Sequence, residues 1–420
     1  MYLRTVKQIY IFNPEHDLAL SNGDRHYIPP KNIREMAHDL AELMLATAAL
    51  HASTNERRSP LCPWGWDTAV AERFKKMGHP TPQLPTDNAL SALRQCSERG
   101  TAHCLLSTFR QCHTEDSYIG ESLVIRTLED IPSYADRHGH ILLKAPLSSS
   151  GKGLRHVNFN ANVNDNKSRD NDRHSEEKFS SSLKKVESWV GALIQRHGYL
   201  TAEPYYNKVQ DFAMEFMVDG AGCRFIGYSL FVTDTHGRYT GSRLMSDTHI
   251  EDLLATYVPR EALHETCHWM IAHHTDIIPK EWDVAQFPLY FGIDMMIVAN
   301  RQQSMINHPD GCMAYNKPNY KEENNHSQFK IHPCVEINMR MNMGIIAHEL
   351  YRHHMTPTVE GTFRIVRFPS NEALRRFDSE QSELHPAVFH DGRLAEGYLK
   401  LTPITHETLH LAYIDAQKQA

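Results

Sequence analysis

The residues best suited to chemistry in this chain are carboxylates set into apolar strands. In FGIDMMIV (291–298) a single acid, Asp294, stands in an otherwise apolar run. A lone carboxylate in such a run is costly unless it is paired or bound to a metal. In HPCVEINMRMNMG (332–344) the polar residues Glu336, Asn338 and Arg340 alternate with apolar ones. Alternate residues of a strand share one face, so these three should project together while Val335 and Ile337 pack behind. Two carboxylates and an amide oxygen are hard ligands of the kind that hold Mg²⁺ against phosphates. The competing reading is a simple Glu336–Arg340 ion pair.

A second stretch has phosphate-binding character. ILLKAPLSSSGKGL (141–154) runs from apolar residues through Lys144 into a turn rich in serine and glycine, with Lys152 inside it. The P-loop pattern fails here, because Pro146 stands where its first glycine belongs and Gly153 follows Lys152 in place of Ser or Thr. The dinucleotide fingerprint fails at His156. The residues after Gly153 (LRHVNF) read as strand, so the segment is expected to be a strand–loop–strand hairpin. Small residues in such a loop let backbone N–H groups approach an anion, and a flanking lysine adds a point charge. A plain Ser/Gly hairpin with a surface lysine is the alternative.

Two further motifs compete for attention. HETCH (264–268) is a formal H-E-x-x-H zinc match that would use His264, Glu265 and His268. With 28 histidines in the chain, such a match arises readily by accident. NPEHD (13–17) follows the first apolar strand, where α/β proteins place ligand loops. Glu15, His16 and Asp17 could therefore meet a substrate, or Asp17 could end a helix-capping turn. The tryptophans of PWGWD (63–67) are expected to serve packing. Arg224 and Arg243 are candidates for an acceptor site, with surface roles the simpler reading.

The elements that must position these residues follow from periodicity. Strands are expected at 7–12, 140–145, 155–159, 199–204, 211–218, 223–233, 289–298 and 329–338. Helices are expected over 33–50, 67–77 and 183–197, and over 88–110 with a break near Gly100. Strand and helix alternate at the N-terminus, implying a parallel sheet with covering helices. Residues 160–182 and 301–328 are nearly free of apolar side chains and read as loop insertions. The 420 residues suggest two or three domains. A net charge of −7 argues against a general nucleic-acid binder. The eight cysteines include no C-x-x-C pair, so neither a zinc ribbon nor a redox motif is indicated. No apolar run is long enough for a signal peptide or a membrane span, which predicts a cytoplasmic protein without membrane partners.

Taken in order, four segments resemble the ATP-grasp superfamily: Lys144 with its small-residue loop, TAEPYYNKVQDFAMEF (201–216), GIDMMIV (292–298), and the Glu336-x-Asn338-x-Arg340 strand. The resemblance covers about residues 140–345. It implies an α/β (α+β) fold: a Rossmann-like N-terminal α/β domain (1–125), then an ATP-grasp core with a lid subdomain (126–205) and a larger C-terminal subdomain bearing the metal site (206–420). It implies that Lys144 contacts the α-phosphate region of ATP. Backbone N–H groups of Ser149, Ser150, Gly151, Lys152 and Gly153 would close over the β- and γ-phosphates. Glu203, Pro204 and Tyr205 would line the adenine, and Asp211 would meet the ribose, although its spacing is offset from the commonest one. Asp294, Glu336 and Asn338 would hold one or two Mg²⁺, with Mn²⁺ as an alternative. Arg340 would stabilise the transferred phosphoryl group. The implied activity is a ligase that activates a small-molecule or peptide carboxylate as an acyl-phosphate for attack by an amine or thiol. A regulatory protein that binds ATP without catalysis, and a zinc hydrolase at His264–Glu265–His268, are the alternatives.

Overall fold

The computed structural model describes residues 8–51, 58–148, 153–158, 171–233, 239–299 and 328–417. The loop residues Ser149 to Lys152 therefore lie outside the described residues, as does nearly all of the segment 301–328.

The N-terminal part is α/β. Strand β1 (Ile9–Ile11) leads into helix α1 (His16–Asn22) and then α2 (Lys31–Asp39). The helix expected over 33–50 is interrupted at Leu40: a 3₁₀ segment covers Ala41–Thr47 before α3 (Ala48–His51). Strand β2 (Leu61–Pro63) pairs parallel with β1. Helix α4 (Thr68–Lys76) starts where Asp67 accepts a hydrogen bond from the Val70 N–H, and it buries Val70, Ala71 and Phe74. Helices α5 (Asp87–Cys96) and α6 (Arg99–Cys112) replace the expected 88–110 helix, with the break at Ser97–Glu98. Trp64 and Trp66 are buried, as packing residues should be.

A four-stranded sheet follows. It contains β3 (Leu123–Ile125), then after α7 (Asp130–His138) the hairpin β4 (His140–Lys144) and β5 (Leu154–Asn158), and, beyond α8 (Asn171–His197), β6 (Leu200–Pro204). Its order is β3-β6-β4-β5. Helix α8 begins at Asn171, inside the segment read from sequence as loop. Val186 and Val190 of α8 pack on Ile141, Leu143 and Leu200, giving this sheet its own core.

The largest sheet has nine strands. Long strands β7 (Lys208–Asp219) and β8 (Gly222–Thr233) are followed by β9 (Tyr239–Leu244), helices α9 (Asp247–Leu254) and α10 (Arg260–Ala272), and β10 (Leu289–Ala299). Then come β11 (Phe329–Asn338), α11 (Met343–His354), β12 (Glu360–Arg367), α12 (Asn371–Leu384), β13 (Val388–His390), β14 (Arg393–Lys400) and β15 (His410–Gln417). The order is β11-β10-β7-β8-β9-β12-β15-β14-β13. Helix α6 lies against β11, with Leu105, Leu106 and Phe109 in the same core as Ile331 and Ile337. This contact joins the N-terminal helices to the strand that carries Glu336. Among the described residues no helix is long and apolar enough to cross a membrane.

Candidate functional site

Strands β10 and β11 pair antiparallel with Asp294 opposite Glu336 and Gly292 opposite Asn338. Directly paired residues lie on one face of a sheet, so the register brings the three expected ligand side chains together. Asn338 donates its amide to Asp294 Oδ1 at 3.1 Å. Burial, and next the neighbouring Glu336 and Glu215 carboxylates, push the Asp294 carboxyl well above its ordinary range. A buried acid beside two others is the electrostatic situation that a cation relieves. Among the described residues no three His, Cys, Asp or Glu side chains converge as a closed metal cage. Two carboxylates and an amide fit Mg²⁺ nonetheless, because that ion keeps several waters or phosphate oxygens in its shell.

Glu336 does not pair with Arg340. Its Oε1 accepts from Arg99 at 2.9 Å, and Arg340 turns to the N-terminal loop. Arg340 donates Nε to Asp17 Oδ1 at 3.0 Å and one terminal nitrogen to Oδ2 at 2.9 Å. The same terminal nitrogen reaches Asn338 Oδ1 at 3.0 Å, so Asp17, Arg340, Asn338 and Asp294 form one chain of hydrogen bonds. Burial alone would raise the Asp17 carboxyl, but Arg340 and His16 outweigh it and hold it well below its usual range. The strand ends at Asn338, which is why alternation no longer governs Arg340.

The NPEHD loop is built into this site. Helix α1 starts at His16, so Asp17 sits inside its first turn and caps nothing. Asn13 donates to the Gly65 carbonyl at 2.9 Å and to Asp67 at 3.2 Å. His16 is buried, with Nε2 donating to the Trp66 carbonyl at 3.1 Å. Gly65 has to be glycine at this close approach, since a Cβ would overlap the His16 ring. His16, Asp17, Ser97, Ser148, Glu336 and Asn338 line one cleft between the N-terminal part, the β4–β5 hairpin and β11.

Lys144 ends β4, buried, with Nζ 2.5 Å from Glu203 Oε2 and 3.4 Å from the Val335 carbonyl. Lys144 and Glu203 are thus one buried ion pair resting on β11. The Ala145 N–H donates to the Gly153 carbonyl at 2.8 Å, and a Cβ on Gly153 would overlap the Ser148 side chain. The neck of the loop therefore requires Gly153. Tyr205 is half exposed and stacks on His140 with ring centroids 4.2 Å apart. Asp211 pairs with Lys208, three residues before it; burial raises its carboxyl and Lys208 opposes the rise.

The zinc reading fails on geometry. His264 pairs with Glu251 at 3.0 Å, while Glu265 turns to Tyr118 at 3.3 Å and His113 at 3.4 Å. His264 and His268 lie exposed on α10, and among the described residues no third His, Cys, Asp or Glu joins them to hold a metal ion. Arg243 pairs with Glu360 at 3.1 Å, and Arg224 lies against Met217 Sδ, so neither faces the cleft. A second crevice, of about 670 Å³, opens in the N-terminal part beside Glu15, Tyr27, Arg34 and Arg73. Burial raises the Glu15 carboxyl there, and its Oε2 has no hydrogen-bond partner.

Sequence reasoning missed Arg99 entirely. Arginine at a helix start carries no motif, and the contact spans residues 99 and 336.

No family model matches the chain, and no curated protein matches it. Solved structures do. An ADP complex of N5-carboxyaminoimidazole ribonucleotide synthetase (PurK) aligns over 99% of this chain and 94% of its own, at 9% identity and a TM-score of 0.46. The biotin carboxylase of Campylobacter jejuni, complexed with β,γ-ATP, aligns over 90% and 74%, at 10% identity and a TM-score of 0.45. An L-amino acid ligase from Bacillus licheniformis aligns over 92% and 81%, at 10% identity and a TM-score of 0.40.

Proposed function

We propose that this chain is an ATP- and Mg²⁺-dependent ligase that activates a carboxylate as an acyl-phosphate for attack by an amine or thiol. The observation that carries the reading is the β10–β11 register, which sets Asp294 and Glu336 opposite one another, with Asn338 bonded to Asp294. In the described structure the charge at this pair is balanced only in part, by Arg99 on Glu336.

The residues divide the work as follows. Asp294, Glu336 and Asn338 would hold Mg²⁺, or Mn²⁺ in its place. Bound there, the metal would neutralise charge on the polyphosphate and on the transferred phosphoryl group. Lys144, oriented by Glu203, presents a fixed cation beside the same strand for a phosphate oxygen. Arg340 is held in a single orientation by Asp17 and Asn338, which line the cleft, and a fixed orientation is what electrostatic stabilisation of a developing charge demands. Gly153 and the loop before it would lie over the β- and γ-phosphates, with Glu203, Tyr205 and Asp211 along the nucleoside. The γ-phosphoryl group passes to a carboxylate oxygen and ADP leaves. The amine or thiol then attacks the acyl carbon and expels phosphate. Acyl-phosphates hydrolyse, so the cleft has to exclude water during the step. The crevice at Glu15, Arg34 and Arg73 supplies both signs of charge for an acceptor.

Hydroxylamine trapping tests this reading. Purified protein is incubated with Mg²⁺, ATP, hydroxylamine and a panel of small carboxylates, and hydroxamate and ADP are measured together. Matched formation of both, lost in Asp294→Ala, is expected. Nucleotide binding with no ADP from any carboxylate would favour the non-catalytic ATP-binding reading.

A further inference from the structure

Arg99 touches two of the segments on which the proposed function rests, the β4–β5 hairpin and β11. One terminal nitrogen donates to the Ala145 carbonyl at 2.7 Å and to Ser148 Oγ at 2.8 Å. The other donates to Glu336 Oε1 at 2.9 Å. Its backbone N–H donates to the Pro146 carbonyl at 2.9 Å. The side chain is only 8% exposed, and its buried Nε finds no acceptor.

Local helix energetics do not select this residue. Arg99 is the first residue of α6, where the positive end of the helix dipole disfavours a cation. Nor does the ladder of apolar contacts on β11 need it, since Leu105, Leu106 and Phe109 make those. What Arg99 does satisfy is charge. It is the only side chain among the described residues to form an ion pair with Glu336, while Asp294 beside it has no ion pair at all. The guanidinium occupies one carboxylate of the pair that the proposed function assigns to a divalent cation.

We propose that Arg99 is the resident counter-cation of the Asp294–Glu336 pair. It is a positioning residue: it holds Glu336 aimed into the cleft when no metal is bound, and it competes with the metal for that oxygen. Its grip on Ala145 and Ser148 does not involve Glu336. When a metal takes Glu336, the guanidinium therefore stays anchored to the β4–β5 hairpin, with one terminal nitrogen released toward the cleft. The inference rests on the metal reading of Asp294 and Glu336.

The test is Mn²⁺ binding to the nucleotide-free, full-length protein, followed by electron paramagnetic resonance, with thermal unfolding recorded for every variant. Arg99→Gln should bind Mn²⁺ about tenfold more tightly than the wild type, a modest fraction of what one unit charge at contact is worth at an effective dielectric of about 20. Asp294→Asn and Glu336→Gln should abolish binding. An arginine that only braced the fold would leave Mn²⁺ affinity unchanged or weaken it in Arg99→Gln, and either result overturns the proposal. Should Arg99→Gln not fold, Arg99→Lys serves instead: an ammonium lacks the fork that holds Ala145 and Ser148 with one nitrogen and Glu336 with the other, so a smaller tightening is expected, and none refutes the inference. If the wild type itself binds no Mn²⁺, or binds it equally in Asp294→Asn, the metal reading falls and this inference with it. Wild-type binding lost in Asp294→Asn but not tightened in either Arg99 variant rejects the Arg99 role alone.

Discussion

Replacing Glu215 by glutamine should flatten the pH dependence of stability by an amount that follows from its surroundings. Glu215 lies on β7 and is 1% exposed. Ser229 Oγ donates to its Oε1 at 2.8 Å and Asn342 Nδ2 to its Oε2 at 2.6 Å. Gly292 and Gly344 make the space, since a Cβ at either would overlap the carboxylate. Burial pushes its carboxyl from 4.5 up to about 7, with Asn342, Ser229 and the distant charges of His348 and Arg340 opposing the rise. Between those two values the folded chain holds one proton more than the unfolded chain. Stability is therefore fully present below about pH 4.5 and is lost as pH rises through about 7. At about 1.4 kcal/mol per unit, the loss is roughly 3 kcal/mol. Glutamine keeps the shape and both hydrogen bonds if its oxygen faces Asn342 and its nitrogen faces the Ser229 hydroxyl. Urea unfolding at pH 5 and pH 8 measures the difference, and the other titrating groups largely cancel between wild type and variant. Relative to the wild type, the variant's stability should rise by about 2.5 kcal/mol between pH 5 and pH 8. Parallel pH profiles for the two proteins would refute the assignment. Because Glu215 also raises the Asp294 carboxyl, the variant should bind divalent metal at a lower pH than the wild type.

Two further outcomes follow from the same contacts. Asp17→Asn leaves Arg340 without its carboxylate partner; the pair is about four-fifths buried, so a loss of about 2–3 kcal/mol is expected, below the value for a fully buried pair. Since Asp17 is held below its ordinary value of 3.8, its contribution is present above about pH 4 and lost as pH falls below it; acid unfolding of the wild type and Asp17→Asn should converge there. Gly65→Ala drives a methyl group into the His16 ring and should cost about 1–3 kcal/mol, read as a lowered melting temperature; an unchanged melting temperature would show that the loop yields.

The strands of the core were legible because their signals are local. Apolar runs and alternation located β7, β8, β10 and β11 to within a few residues, and the register that sets Asp294 opposite Glu336 agrees with the shared face expected for Glu336 and Asn338. Lys144 and Gly153 could be found because a strand lysine beside small residues is a compact pattern. Partner choice was not legible. Arg340 sits four residues from Glu336, yet it bonds Asp17, which is 323 positions away. Arg99 reaches Glu336 across 237 positions. Such pairings are set by how α1 and α6 dock on β11, and no periodicity encodes that. The HETCH match, read as an accident of a histidine-rich chain, is local in spacing only: on α10 its side chains take Glu251, Tyr118 and His113 as partners.

The central claim is that the cleft binds ATP through a metal held by Asp294 and Glu336. Calorimetric titration with a non-hydrolysable ATP analogue, with and without Mg²⁺, tests it most directly. The wild type should bind the analogue tightly only with Mg²⁺. Asp294→Asn should lose that Mg²⁺ dependence while keeping its fold by circular dichroism. Binding that is equally tight without metal, or undiminished in Asp294→Asn, would contradict it.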